Sequence, residues 1–221
     1  MSDALTSSRR RLKEARPQQL LDAALTLFVE KGFTATRAEE VAQRAGVSKG
    51  TLYLYYPSKE ELLKAVIREH LSSRIAAGAA EAERHRGSAA ELLREVFCRW
   101  WLDAFDSPIS GVFKLIIAEV RNFPDIAEFY VTEVVQPGEQ LIARIVQRGI
   151  DSGEFDTLDV PCVVHSLVFP MVMLCVHKHS VGACADHHEN FDPHAFIRAH
   201  IDLVIRGLLR AKAAPRRAAA A

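Results

Sequence analysis

Residues 36–59 read TRAEEVAQRAGVSKGTLYLYYPSK, and the rest of the chain is organised around them. Ala38, Val41, Ala42 and Ala45 fall at i, i+3, i+4 and i+7, one apolar helical face, while Glu39, Glu40, Gln43 and Arg44 point elsewhere. Gly46 suits the left-handed conformation past a helix end, and Ser48 supplies an oxygen that caps the next start. A second helix therefore opens at Lys49. It lasts barely two turns, because Pro57 cannot continue it and holds Tyr56 out of the helical region. Helix, short turn with glycine, short helix is the helix-turn-helix plan, whose second helix enters the DNA major groove.

The second helix has the chemistry for that task. Its start presents free backbone N–H groups and the positive end of the dipole, beside the full charge of Lys49. Gly50 permits close approach of another surface, and Thr51 and Tyr53 carry hydroxyls that can bond bases or phosphates. Leu52 is expected to point inward. Lys59, just past the turn, is placed to pin a backbone phosphate.

Extended to GFTATRAEEVAQRAGVSKGTLYLYYPSKEELL, the stretch resembles the DNA-binding domain of the TetR (tetracycline repressor) family of bacterial transcription regulators, from Gln18 to about Ile67. The resemblance implies that Thr36 holds a phosphate, that Ser48, Lys49, Gly50, Thr51 and Tyr53 lie at or in the groove, and that Tyr55 and Lys59 grip the backbone. Leu54 departs from the family, which often has an aromatic there, and Tyr56 stands where Phe is frequent.

With 221 residues, 49% of them hydrophobic, the chain can bury one large core or two modest ones. The formal net charge of zero hides an asymmetry: residues 1–75 hold 13 Lys and Arg against 9 Asp and Glu, residues 76–221 hold 15 against 19. A basic front and an acidic rear point to a polyanion partner for the front alone. Cys98, Cys162, Cys175 and Cys184 form no CxxC pair and read as small core residues. Neither a signal peptide nor a run of eighteen apolar residues is evident, so a reduced, cytoplasmic protein without a membrane partner is expected.

Outward from the motif, residues 1–15 carry Arg9, Arg10, Arg11 and Lys13 and read as a mobile basic arm, able to reach phosphates or the minor groove. Pro17 opens a helix with a Leu20, Leu21, Ala24, Leu25, Phe28 stripe that ends at Gly32, and Phe33 plugs the same core. Ser58 with Glu61 caps a helix running to Ile75, a bridge to the rear half. The Ala- and Gly-rich residues 76–87 read as a frayed end or loop. The expected organisation is arm 1–15, helix-turn-helix domain 16–62, ligand-binding and dimerisation domain 63–211 and disordered tail 212–221.

The rear half keeps a helical period throughout, and no strand with clean alternation occurs, so the fold class is all-α. Helices are expected from Ser88 to Phe105, from Pro108 to Val120 and from Pro124 onward, the last kinked or split by Pro137 and Gly138 before Leu141–Ile150. Their aromatics suggest a pocket, and the resemblance implies a ligand cavity here. Phe97, Trp100, Trp101, Phe113, Phe129, Tyr130 and Met171 are its expected lining, for a small, mostly apolar effector.

Two final helices, Asp159–His179 and Pro193–Arg210, are apolar enough to need cover on more than one side. A homodimer through Val164, Leu167, Val168, Met171, Val172, Ile197, Ile201, Val204, Ile205 and Leu208 would supply it, as in dimers of the resembled family. Two-fold symmetry would set recognition helices roughly 34 Å apart on a palindromic, double-stranded operator. Between them, HKHSVGACADHHENFDPH offers His177, His179, Cys184, Asp186, His187, His188 and His194. Metal sensing is the alternative reading, although the spacing matches no established site. No cofactor is called for, and no Ser/His/Asp or paired-carboxylate set marks an enzyme, the remote alternative.

Overall fold

The computed structural model describes residues 2–156, 159–184 and 191–210, with residues 2–15 described by their backbone alone. Nine helices account for the described residues apart from turns, a short 3-10 turn at Val181–Ala183 and an isolated antiparallel bridge between Phe155 and Leu209. The all-α class is as predicted.

Three helices build the front. α1 spans Ser2–Lys31, α2 Ala38–Arg44 and α3 Lys49–Tyr55. Gly32 and Gly46 take positive φ, 88° and 67°, where a Cβ would be strained, and so end α1 and turn the chain between α2 and α3. Leu20, Phe28, Phe33, Val41 and Leu52 are completely buried between these helices. The run expected as an arm is the beginning of α1, and Pro17 lies inside that helix rather than opening it.

α4 covers 59–84, as Lys59–Ile67, a π turn at Arg68–Ser72 and Ser73–Arg84. Ser58 caps it by accepting from the Glu61 N–H at 3.1 Å. The helix therefore runs well past Ile75, through residues expected to fray. Alanine-rich sequence favours helix, and Gly78 comes close to Leu141, where a Cβ would meet its Cδ2 at 3.6 Å. The predicted boundary at 62/63 falls inside α4, between two fully buried leucines.

The rear bundle holds α5 at 89–106, α6 at Ser110–Glu119, α7 at 124–151, α8 at Val160–Lys178 and α9 at Pro193–Leu208. α5 contains a π turn at Leu93–Phe97 and α7 one at Val131–Val135. That second turn replaces the expected break at Pro137: the widened turn comes just ahead of it, and the proline takes a first-turn position in the segment Gln136–Asp151. α8 packs on α6 and α7. The stretch Val160–Ala183, at mean hydropathy 1.9, is long and apolar enough to cross a membrane by length and composition alone, a test that a helix of a protein core also passes. Only 33% of that window is buried.

α6 also touches the front. A Cβ built on Gly111 would lie 2.3 Å from Cγ1 of Val29 in α1, so only glycine allows this crossing. Phe33 stacks edge-on against Phe123 just past α6, with centroids 4.9 Å apart. One continuous apolar core thus links front and rear. Of the cysteines, Cys98 and Cys175 are buried as expected, but Cys162 and Cys184 are exposed.

Candidate nucleic-acid interface and ligand chamber

α3 turns Leu52 fully inward and leaves Ser48, Lys49, Gly50, Tyr53 and Leu54 exposed. The Ser48 hydroxyl accepts from the Thr51 N–H at 3.1 Å and lies 2.9 Å from the Thr51 hydroxyl, fixing the first turn. Lys49 forms an ion pair with Glu39 of α2 and sits 5.7 Å from the Tyr53 ring centroid. Its hydrogen bond to Glu39 holds that carboxyl below the usual range and raises the lysine. The pair is solvent-exposed, so a phosphate can replace the carboxylate at little cost. Tyr55 is half-buried against the core. Leu54, 80% exposed, is the apolar outlier of this surface.

Two residues expected on this surface are turned inward. Thr36 is only 1% exposed; its hydroxyl donates to the carbonyls of Gly32 at 2.7 Å and Leu27 at 3.2 Å. The hydroxyl closes the end of α1 instead of facing a phosphate. Lys59 donates to the carbonyls of Phe33 (2.8 Å), Thr36 (3.1 Å) and Thr34 (3.3 Å), with its ammonium 4.5 Å from the Phe33 ring centroid. An α1–α2 turn with three outward carbonyls collects the charge that the sequence alone would assign to DNA. On the same turn, Glu119 at the end of α6 accepts from the Thr34 hydroxyl at 2.9 Å and its N–H at 3.3 Å.

In the rear bundle a cavity of about 260 Å³ has walls from α4 to α8. Phe97, Trp100, Trp101, Phe113 and Tyr130, five of the residues expected to bind a ligand, line it. Phe129 does not: its ring lies against the front of α4, with Arg68 at 4.6 Å and Lys64 at 5.8 Å from its centroid. Met171 does not either, since helical phase directs it into the core, 1% exposed, while Val168, Phe169 and Val172 of α8 take the wall. Ile116, Ile117, Leu141 and Ile142 complete much of the lining; aliphatic residues on a helical stripe carry no mark in the sequence that separates a cavity wall from a core. Two of the three π turns line this cavity, contributing Val96, Phe97, Val134 and Val135, and the third lies two residues before the lining residue Arg74. A π turn widens a helix locally, a device common at functional sites.

Polar groups are sparse in the chamber. Trp101 Nε1 is buried without an acceptor among the described residues. Burial drives the Tyr130 phenol well above its ordinary range, so it stays protonated. Arg74 and Glu139 are the charged lining residues, and Glu139 is engaged by His165 at 3.3 Å.

The expected association residues mostly serve the protomer's own core. Val164, Leu167, Met171, Ile197, Ile201, Ile205 and Leu208 are each 4% exposed or less, and Val168, Val172 and Val204 are half-buried. The bundle claims the more continuous apolar stripe of each helix, leaving Phe169, Met173 and Leu203 more than 60% exposed. These are the apolar groups that α8 and α9 present outward.

Of the proposed metal ligands, Asp186, His187 and His188 lie outside the described residues, and among the described ones no group of three or more His, Cys, Asp or Glu could hold an ion. His194 pairs with Asp106 at 2.7 Å. The fold does bring Ser110 and His179 together, Oγ to Nε2 at 2.8 Å, which sequence reasoning missed because 69 residues separate them. Ser110 is completely buried, and the adjacent cation is Lys178, whose Nζ lies 3.4 Å from the serine. Burial, Lys178 and Lys114 lower the His179 pKa, and the 2.8 Å contact ties the start of α6 to the residue that follows α8.

A surface helix-turn-helix joined through α4 and α6 to a walled chamber defines a DNA-binding regulator of two-part helical build. Residues 20–66 match the model of bacterial regulatory proteins of the tetR family, and residues 86–183 match that of the tetracyclin repressor-like C-terminal domain. The chain is 30% identical over 145 residues to the uncharacterized HTH-type transcriptional regulator YfiR of Bacillus subtilis, covering 65% of this chain and 69% of that one. It is 25% identical over 201 residues to the fatty acid metabolism regulator protein of the same organism, covering 89% and 98%. The structure of the transcriptional regulator FadR from Bacillus subtilis in complex with stearoyl-CoA shares the fold at a TM-score of 0.68, 22% identity and coverage of 86% and 98%. This chain belongs to the TetR family of bacterial transcriptional regulators.

Proposed function

We propose that the protein is a transcriptional repressor in the cytoplasm that binds a palindromic double-stranded operator as a homodimer and leaves it when an apolar effector fills the chamber. The front, through residue 62, reads DNA; residues from 63 onward bind ligand and pair protomers. The observation that carries this reading is mechanical: α6 supplies Phe113, Ile116 and Ile117 to the chamber wall and, at its end, Glu119 to the turn that fixes α2 and α3. An effector that favours a shifted α6 or a tilted α4 therefore changes the spacing of paired recognition helices. The DNA-facing set is Ser48, Lys49, Gly50, Thr51, Tyr53 and Tyr55, with Thr36 and Lys59 holding its frame. The name of the fatty acid metabolism regulator and the stearoyl-CoA held by FadR support an apolar effector.

Fluorescence polarisation against the chain's own promoter DNA tests the reading. Affinity should fall steeply with salt. Lys49→Ala should weaken binding to every sequence and reduce the salt slope by about one, whereas Thr51→Ala should cost base preference. Unchanged affinity in both variants would remove α3 from the interface.

A further inference from the structure

Leu54 is 80% exposed, the highest value of any large apolar side chain among the described residues. It stays out of the apolar core that its neighbours Tyr55 and Tyr56 pack against. Around α3, the exposed residues Lys49, Tyr53, Gly50 and Leu54 follow one another within an arc of about 140°, on the side away from the fully buried Leu52. That arc has two halves. Lys49 and Tyr53 form the polar half, in contact with each other and, through Lys49, with Glu39. Gly50 and Leu54, one turn apart, form the other. A Cβ built on Gly50 would meet only the Ser48 Oγ, at 3.8 Å, so the glycine leaves open space beside the leucine.

An exposed leucine gains only where the surface that covers it offers an apolar group in return. In the major groove, the amino, carbonyl and ring-nitrogen atoms of the base edges need hydrogen bonds, and any of them pressed against Leu54 would give up water for nothing. A phosphate oxygen fits no better, since leucine has no donor to give it. The apolar group that this groove displays is the C5-methyl of thymine. We infer that Leu54 is a specificity-determining residue that packs on the C5-methyl of an operator thymine, whose edge enters the opening left by Gly50. This rests on the DNA-binding reading above and adds to it one base and the group of that base that is read.

The test replaces the thymines of a promoter duplex by deoxyuridine one at a time, which deletes the methyl group and keeps every base pair, and reads affinity for the full-length chain by fluorescence polarisation. One such replacement should weaken the parent about fourfold, the share of one buried methyl-sized group. Leu54→Ala should bind the thymine and deoxyuridine forms of that position alike, whereas Leu54→Met, which keeps an apolar tip, should still tell them apart. A methyl effect that persists in Leu54→Ala belongs to another side chain and overturns the inference. So does a Leu54→Ala variant that is weakened on every duplex while the parent is sensitive to no thymine, the mark of a leucine lying on the sugar-phosphate backbone. If the parent binds promoter DNA and no replacement matters, the inference falls and the DNA-binding reading stands. If the parent binds no promoter duplex, both fall.

Discussion

Lys59 directs its ammonium at three carbonyls of one turn, so its value lies in folding the front rather than in neutralising DNA. Lys59→Met should lower stability by about 1.5–3 kcal/mol, the range for hydrogen bonds to a charged group. The salt slope of operator binding should stay that of the parent, since no phosphate contact is lost; a slope lower by one in an otherwise stable variant would return Lys59 to the interface. This residue marks where sequence stops being informative. Leu52 inward, Ser48 as cap and Gly46 in positive φ were all legible, because each follows from local backbone chemistry. The destinations of the Lys59 and Thr36 side chains were not, because they depend on a turn 23 residues away in one case and on the carbonyl of Leu27 in the other.

Among the helices, α6 is the one that belongs to both halves. Glu119→Gln weakens the carboxylate's acceptance from Thr34 while preserving shape, and should leave effector affinity intact yet cut the effector's power to release DNA several-fold; titrating operator release against effector concentration checks it. The α6–α8 contact also carries a pH signature. Burial first, then Lys178 and Lys114, lowers His179 from the ordinary 6.5, and burial likewise lowers His70 in α4. A histidine whose folded pKa is depressed is bound by more protons when unfolded, so its contribution is complete above pH 6.5 and is lost as pH falls toward the folded value. Thermal melts should therefore show Tm declining as pH is lowered from 7 through 6, and His179→Gln should flatten part of that decline. The existence of each helix was readable from periodicity. The π turns were not, since a single extra residue in a helical ring leaves no mark on an apolar stripe 18 or more residues long.

At the scale of the molecule, charge is divided between a basic front and an acidic rear, and apolar surface remains on α8 and α9. Phe169→Glu with Met173→Glu should convert a dimer to a monomer in analytical ultracentrifugation, with helix content preserved and operator affinity greatly reduced. The same charges placed at Val164 or Ile201 should unfold the chain, because those positions are core. Which stripe of α8 the bundle buries could not be read from composition, since both stripes are apolar and only the packed bundle chooses between them. The seam between front and rear has one more implication. Val29 on Gly111, Phe33 on Phe123 and Thr34 on Glu119 act like matched teeth, so a chimera that borrows another regulator's reading head for this sensor must import all three counterparts, or its two pieces will fold as neighbours that no longer communicate.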